Sequence, residues 1–90
     1  MTKAAEIVLH PIPSADSKPY IIVLGPDRHL WFCESGTSKI GRMAPDGRVI
    51  GEYTIPGENC GARAIIAIPD GRLFFSAHDA GAIGEVIPRA

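Results

Sequence analysis

Residues 26–45 read PDRHLWFCESGTSKIGRMAP, and residues 69–88 read PDGRLFFSAHDAGAIGEVIP. Laid over each other at an offset of 43, they share Pro26/Pro69, Asp27/Asp70, Leu30/Leu73, Phe32/Phe75, Ile40/Ile83, Gly41/Gly84 and Pro45/Pro88. Extending the overlay back to residue 12 adds Ile12/Ile55, Pro13/Pro56 and Ile22/Ile65, making ten identities in 34 ungapped pairs. Several of the matches are Gly or Pro, the residues that fix turns, so the overlay marks a structural repeat and not a composition bias.

Each unit predicts short strands and no helix, because no stretch sustains a 3.6-residue apolar period. Pro19 to Leu24 is a continuous apolar run ended by the Pro26-Asp27 turn, the pattern of an innermost strand buried on both faces. Leu30 to Glu34 is aromatic and strand-prone, Lys39 to Met43 follows a Ser-Gly-Thr-Ser turn, and Arg48 to Ile55 follows Pro45-Asp46-Gly47. The second unit predicts Ala62 to Ile68, Arg72 to Ser76 and Ala82 to Ile87. Four strands in a period in the low forties point to an all-β chain built from β-propeller blades.

The strand count sets the organisation within one domain, residues 1–90. Strands a to d of blade one fall in residues 13–55, and residues 56–88 supply only strands a to c of blade two. The missing fourth strand is expected at the other end. Residues 6–12 (Glu6-Ile-Val-Leu-His-Pro-Ile) align with Val49 to Ile55 and read as an N-terminal clasp. Two blades cannot close a ring, so homo-oligomerisation is expected, with a six-bladed homotrimer favoured and an eight-bladed tetramer second.

The strings GPDRHLWFCES (25–35), SKIGRMAPDGRVIGEYTIP (38–56) and IPDGRLFFSA (68–77) resemble the blade repeat of the virginiamycin B lyase (streptogramin lyase) family, close to NHL-type repeats. The resemblance covers residues 6 to 88 and implies seven-bladed single-chain propellers. It also implies a Mg²⁺-assisted elimination that opens a cyclic depsipeptide. That chemistry uses His at the start of innermost strands, in a P-H-x-I context, and a Glu near the end of a second strand. By position the His sites fall on Tyr20 and Arg63, and only Glu34 matches; its counterpart in the second repeat is Ala77. An acid–base elimination would have lost both imidazoles here.

Nine Lys plus Arg against ten Asp plus Glu leave a net charge of −1, which excludes an electrostatic nucleic-acid binder. The longest apolar runs, Tyr20 to Leu24 and Ala64 to Ile68, are far too short to span a membrane. Two cysteines make no disulfide framework, and a soluble cytoplasmic protein is expected. No three residues show metal-ligand spacing, so neither a metal nor another cofactor is expected. Catalytic residues are not assigned.

The loops around the channel carry the candidate binding residues: Tyr20, Glu34, Arg63, His78 and Asp79, with Glu58 and Cys60 nearby. The sequence reads best as a non-enzymatic ring that binds a small polar or anionic ligand, or a peptide, on its channel face. Alternatives are a Mg-dependent lyase with an altered site and a propeller fragment without separate activity. Tyr20 and Trp31 could also offer aromatic platforms, although Trp31 in an L-W-F strand is expected to pack between blades.

Overall fold

The structure, a computed structural model, describes residues 4–57 and 59–89. Seven strands follow in chain order: β1 (Pro19–Leu24), β2 (Leu30–Glu34), β3 (Lys39–Met43), β4 (Val49–Thr54), β5 (Ala62–Ala67), β6 (Leu73–Ala77) and β7 (Ala82–Val86). They form two antiparallel sheets, ordered β1-β2-β3-β4 and β5-β6-β7. Among the described residues there is no helix, and residues 6–12 join no ladder within one copy. Nor is any helix long and apolar enough to cross a membrane, which says nothing of a β-barrel.

The pleat sorts each strand into two faces. Trp31, Cys33 and Ile40 of the first sheet point at Ile65, Leu73, Phe75 and Ala77 of the second, and together they make the core, with Val23 and Val86 at its margin. Trp31 is 1% exposed and stacks on Tyr53 at 5.9 Å between ring centroids, so it packs between the sheets and offers no open platform. Phe32 and Phe75 pair with Gly41 and Gly84 across their hairpins, and each ring lies flat over its glycine. A side chain at either glycine would run into the ring, which explains why the repeat keeps Phe and Gly together.

The innermost strand departs from expectation. In β1, Tyr20, Ile22 and Leu24 are exposed, at 61%, 54% and 64%. The apolar run predicts burial on both faces, but two sheets can cover only the face that carries Val23.

The corners repeat even where their residues do not. Ser35 and Gly36 donate backbone N–H groups to Lys18 O (3.2 Å) and Ser17 O (2.9 Å); His78 and Asp79 do the same to Gly61 O (3.2 Å) and Cys60 O (2.9 Å). This places Cys60 under the corner, 2% exposed, with its Sγ against Pro56 O at 3.4 Å. The sequence places Cys60 in a channel loop beside the candidate residues; its side chain is instead buried, where the carbonyls of Cys60 and Gly61 accept from the next corner.

At the opposite end, Asp27 ties the first sheet together. Its carboxylate accepts from Trp31 Nε1 (3.0 Å) and Arg42 Nη2 (2.6 Å), and Arg42 also donates to His29 Nδ1 (3.0 Å) while lying over the Trp31 ring at 4.8 Å. Burial opposes ionisation of Asp27, but the Trp31, His29 and Arg42 donors outweigh it and lower the pKa. The second sheet fills the same positions with Arg72 and Glu85, paired at 3.3 Å.

Removing the largest side chain of the core should be costly. We expect Trp31→Ala to destabilise the fold by about 3–5 kcal/mol, through the cavity and the loss of the Asp27 donor. Urea denaturation of the two proteins measures this, and a loss below about 1 kcal/mol would show that Trp31 does not hold the sheets together.

Candidate functional site

Both innermost strands begin with a break in register. The ladder of β1 with β2 shifts between Pro19 and Ile22, and that of β5 with β6 shifts between Ala62 and Ala64. Tyr20 and Arg63 sit in these irregularities. An extra residue at this point turns its side chain out of the pleat alternation, the usual means by which a sheet aims a residue at its open end. Both side chains are exposed.

Around Arg63 the structure assembles three of the five expected residues. His78 Nδ1 meets Asp79 Oδ1 at 2.9 Å, with both side chains more than half exposed. The hydrogen bond from His78 holds the Asp79 carboxyl below the usual range, and the positive charge of Arg63 lowers it further. The cluster therefore presents a fixed carboxylate between two basic groups, open to solvent. Glu58, expected on the same side, lies outside the described residues.

Glu34 is placed differently. It is fully buried at the matching corner of the first sheet, where Thr37 Oγ1 donates to its Oε1 at 2.9 Å. Its other oxygen, Oε2, and Oε1 of Glu52 are both sealed from solvent without a hydrogen-bond partner. The two side chains approach each other on the same face of the sheet, from β2 and β4. Ionised carboxylate oxygens only accept, so protonating Glu34 supplies the donor that this corner lacks. Burial raises the Glu34 pKa from 4.5 to about 7, Glu52 adds to the rise, and Thr37 and Lys39 oppose it. Lys39 is itself held away, donating to Ser14 Oγ at 2.8 Å. Sequence reasoning found Glu34 but missed Glu52, whose only signal is the register of β3 with β4.

The sequence matches the virginiamycin B lyase family over residues 1–90. The chain belongs to that family. No curated protein matches it. Selenomethionine-substituted virginiamycin B lyase from Staphylococcus aureus superposes with a TM-score of 0.78 at 29% identity, covering 100% of this chain and 33% of that one. A catalytically inactive variant of the Staphylococcus aureus lyase, solved with quinupristin, gives 0.73 at 33% identity, covering 84% and 29%. A streptogramin B lyase structure gives 0.72 at 29% identity, covering 90% and 30%. The chain thus spans about a third of the length of these lyases, and its two sheets match blades of their propeller.

The Mg²⁺ that the family resemblance implies does not fit the residues described. No three His, Cys, Asp or Glu side chains among them could hold an ion together. Glu34 and Glu52 supply two oxygens sealed from solvent, whereas Mg²⁺ demands octahedral oxygen coordination and keeps several waters.

The raised pKa of Glu34 has a measurable consequence. Glu34 binds its proton more tightly folded than unfolded, so its contribution to stability is full below about pH 4.5 and is lost as pH rises through about 7. The loss is on the order of 3 kcal/mol. Glu34→Gln carries a permanent N–H donor for Glu52 and should flatten this slope, making the variant more stable than the parent at pH 8. Denaturation midpoints at pH 5, 6, 7 and 8 test it; equal slopes in both proteins would refute the raised pKa of Glu34.

Proposed function

We propose that the chain is a non-enzymatic section of a propeller ring, with Arg63, His78 and Asp79 forming an open site for a small polar or anionic ligand. The observation that carries this reading is the identity of the residues at the two bulges. Tyr20 and Arg63 stand where the family resemblance calls for imidazoles, so neither innermost strand offers a general base. Arg63 instead offers a planar five-donor fork, a group that suits carboxylates and phosphates. Tyr20 contributes the same position in the other blade. Glu34 is buried in the corner and acts there through Glu52 and Thr37, not on a ligand.

The ring is completed by copies of the chain, three giving six blades and four giving eight, with the trimer favoured. Closure repeats the site around the axis and gives a polar ligand several equivalent contacts. Both cysteines are free and buried, in keeping with a reducing cytoplasmic setting.

A second reading has support of its own. The solved relatives are lyases, one of them holding quinupristin, and this chain covers about a third of their length. On that reading the two blades belong to a Mg²⁺-dependent lyase whose imidazoles lie on blades outside residues 1–90.

Two measurements test the first reading. Incubating the 90-residue chain with a type B streptogramin and Mg²⁺ should give no ring-opened product by mass spectrometry. Inorganic phosphate should raise the melting temperature of the parent and leave Arg63→Ala unchanged. Ring opening above background would show catalysis within residues 1–90 and overturn the non-enzymatic reading, and an equal response of both proteins to phosphate would remove Arg63 from the site.

A further inference from the structure

The repeat carries the same three positions at the turn end of both sheets and fills them with different chemistry. In the first sheet they are Asp27, His29 and Arg42; at the offset of 43 they are Asp70, Arg72 and Glu85. Arg72 pairs with Asp70 at 2.6 Å and with Glu85 at 3.3 Å, and lies over the Phe74 ring at 5.1 Å. A cation there stands between two anions. The first sheet puts an imidazole where the second has that cation, and a cation where the second has its glutamate.

His29 Nδ1 lies 3.0 Å from Arg42 Nε and 3.2 Å from Asp27 Oδ2. A guanidinium only donates, so Nδ1 must accept, and the proton of the neutral ring sits on Nε2. Arg42 in turn spans the two blades. Its Nη2 donates to Asp27 Oδ2 at 2.6 Å, and its Nη1 donates to the Arg89 carbonyl at 3.1 Å, past the end of β7. Between these contacts Arg42 lines a cavity of about 340 Å³ with Trp31, Tyr53, Val86 and Pro88.

Imidazole is the side chain whose charge changes nearest neutrality. A proton added at Nδ1 turns the acceptor into a donor aimed at Arg42 Nε–H, and sets two cations side by side. The charged groups that face the ring are Asp27, from its own turn, and Arg42, from β3. Burial opposes ionisation of Asp27, but its donors outweigh it and keep a carboxylate there, able to accept the new N–H. The oxygen nearest the ring is the one that Arg42 Nη2 uses, so the two cations compete for it. We propose that His29 is a proton-operated latch on the tie that Arg42 makes between the two blades. Neutral, it holds the guanidinium in place; protonated, it turns to Asp27 and lets the guanidinium go. The latch is separate from the Arg63 site, and the second sheet, with Arg72 and Glu85 at the same positions, has no counterpart of it.

Nitrogen and carbonyl NMR of the 90-residue chain tests this. At pH 8 the His29 ring should carry its proton on Nε2. As the pH falls to 5, the Arg42 Nε–H, Trp31 Nε1–H and Arg89 carbonyl signals should shift with the His29 midpoint, and the Arg72 Nε–H signal should not follow it. His29→Asn supplies an oxygen acceptor that takes up no proton, and should hold the Arg42 and Arg89 signals at their pH 8 positions throughout. His29→Arg places a permanent cation there and should show the acid positions already at pH 8; if it does not fold, the parent and His29→Asn decide the matter. A proton on Nδ1 at pH 8, or Arg42 and Arg89 signals that stay fixed while His29 titrates, overturns the latch. So does a shift that persists in His29→Asn, which assigns the titration to another group.

Discussion

The contact of Trp31, Cys33 and Ile40 with Leu73, Phe75 and Ala77 is the constraint on which the rest of the structure depends. Neither sheet encloses a core by itself, because a sheet buries a face only against another layer. Phe75 joins that contact with its ring over Gly84, in the space that a side chain there would fill. The Trp31 indole then fixes Asp27, and Asp27 fixes Arg42, so the packing of the core also orders the turn end of blade one.

The two ends of the sheets have diverged to different degrees. At the turn end the geometry persists while the charges change places: Arg42 lies over Trp31 in one blade, and Arg72 lies over Phe74 in the other, at 4.8 and 5.1 Å. At the corner end the backbone hydrogen bonds persist to within a tenth of an ångström or less, yet the side chains serve opposite ends. One corner holds a sealed carboxylate pair, and the other an open imidazole–carboxylate pair. A scaffold specified by backbone pairing leaves its corner side chains free to change.

The strands were legible because the repeat counts them twice, and Phe, Gly and Pro recur where pairing and turning demand them. The matched spans begin or end within a residue or two of the observed ones. Burial was less legible. The apolar run of β1 reads as enclosed, but enclosure depends on a layer that the first sheet meets on one side only. Cys60 reads as a loop residue, yet its carbonyl is recruited by Asp79 and draws it inward. Within the site, Arg63, His78 and Asp79 were found because all three fall at a strand start or a corner. Glu52 was not, because its partner Glu34 lies two strands away, and only the register of three strands makes them neighbours.

The order of the strands also shapes how the chain acquires its fold. Within each sheet every hydrogen-bonded neighbour is the next strand in sequence, so each hairpin closes a short loop, and such local pairings form fast. The core between the sheets joins residues about one repeat apart, a much longer loop. During synthesis the first sheet is complete in sequence before Ala62 emerges, and the face carrying Trp31 and Ile40 then waits uncovered for the second. Within the chain the partner of that face is complete only once β6 ends at Ala77, so the stretch made between Thr54 and Ala77 is the interval in which this apolar surface stands open.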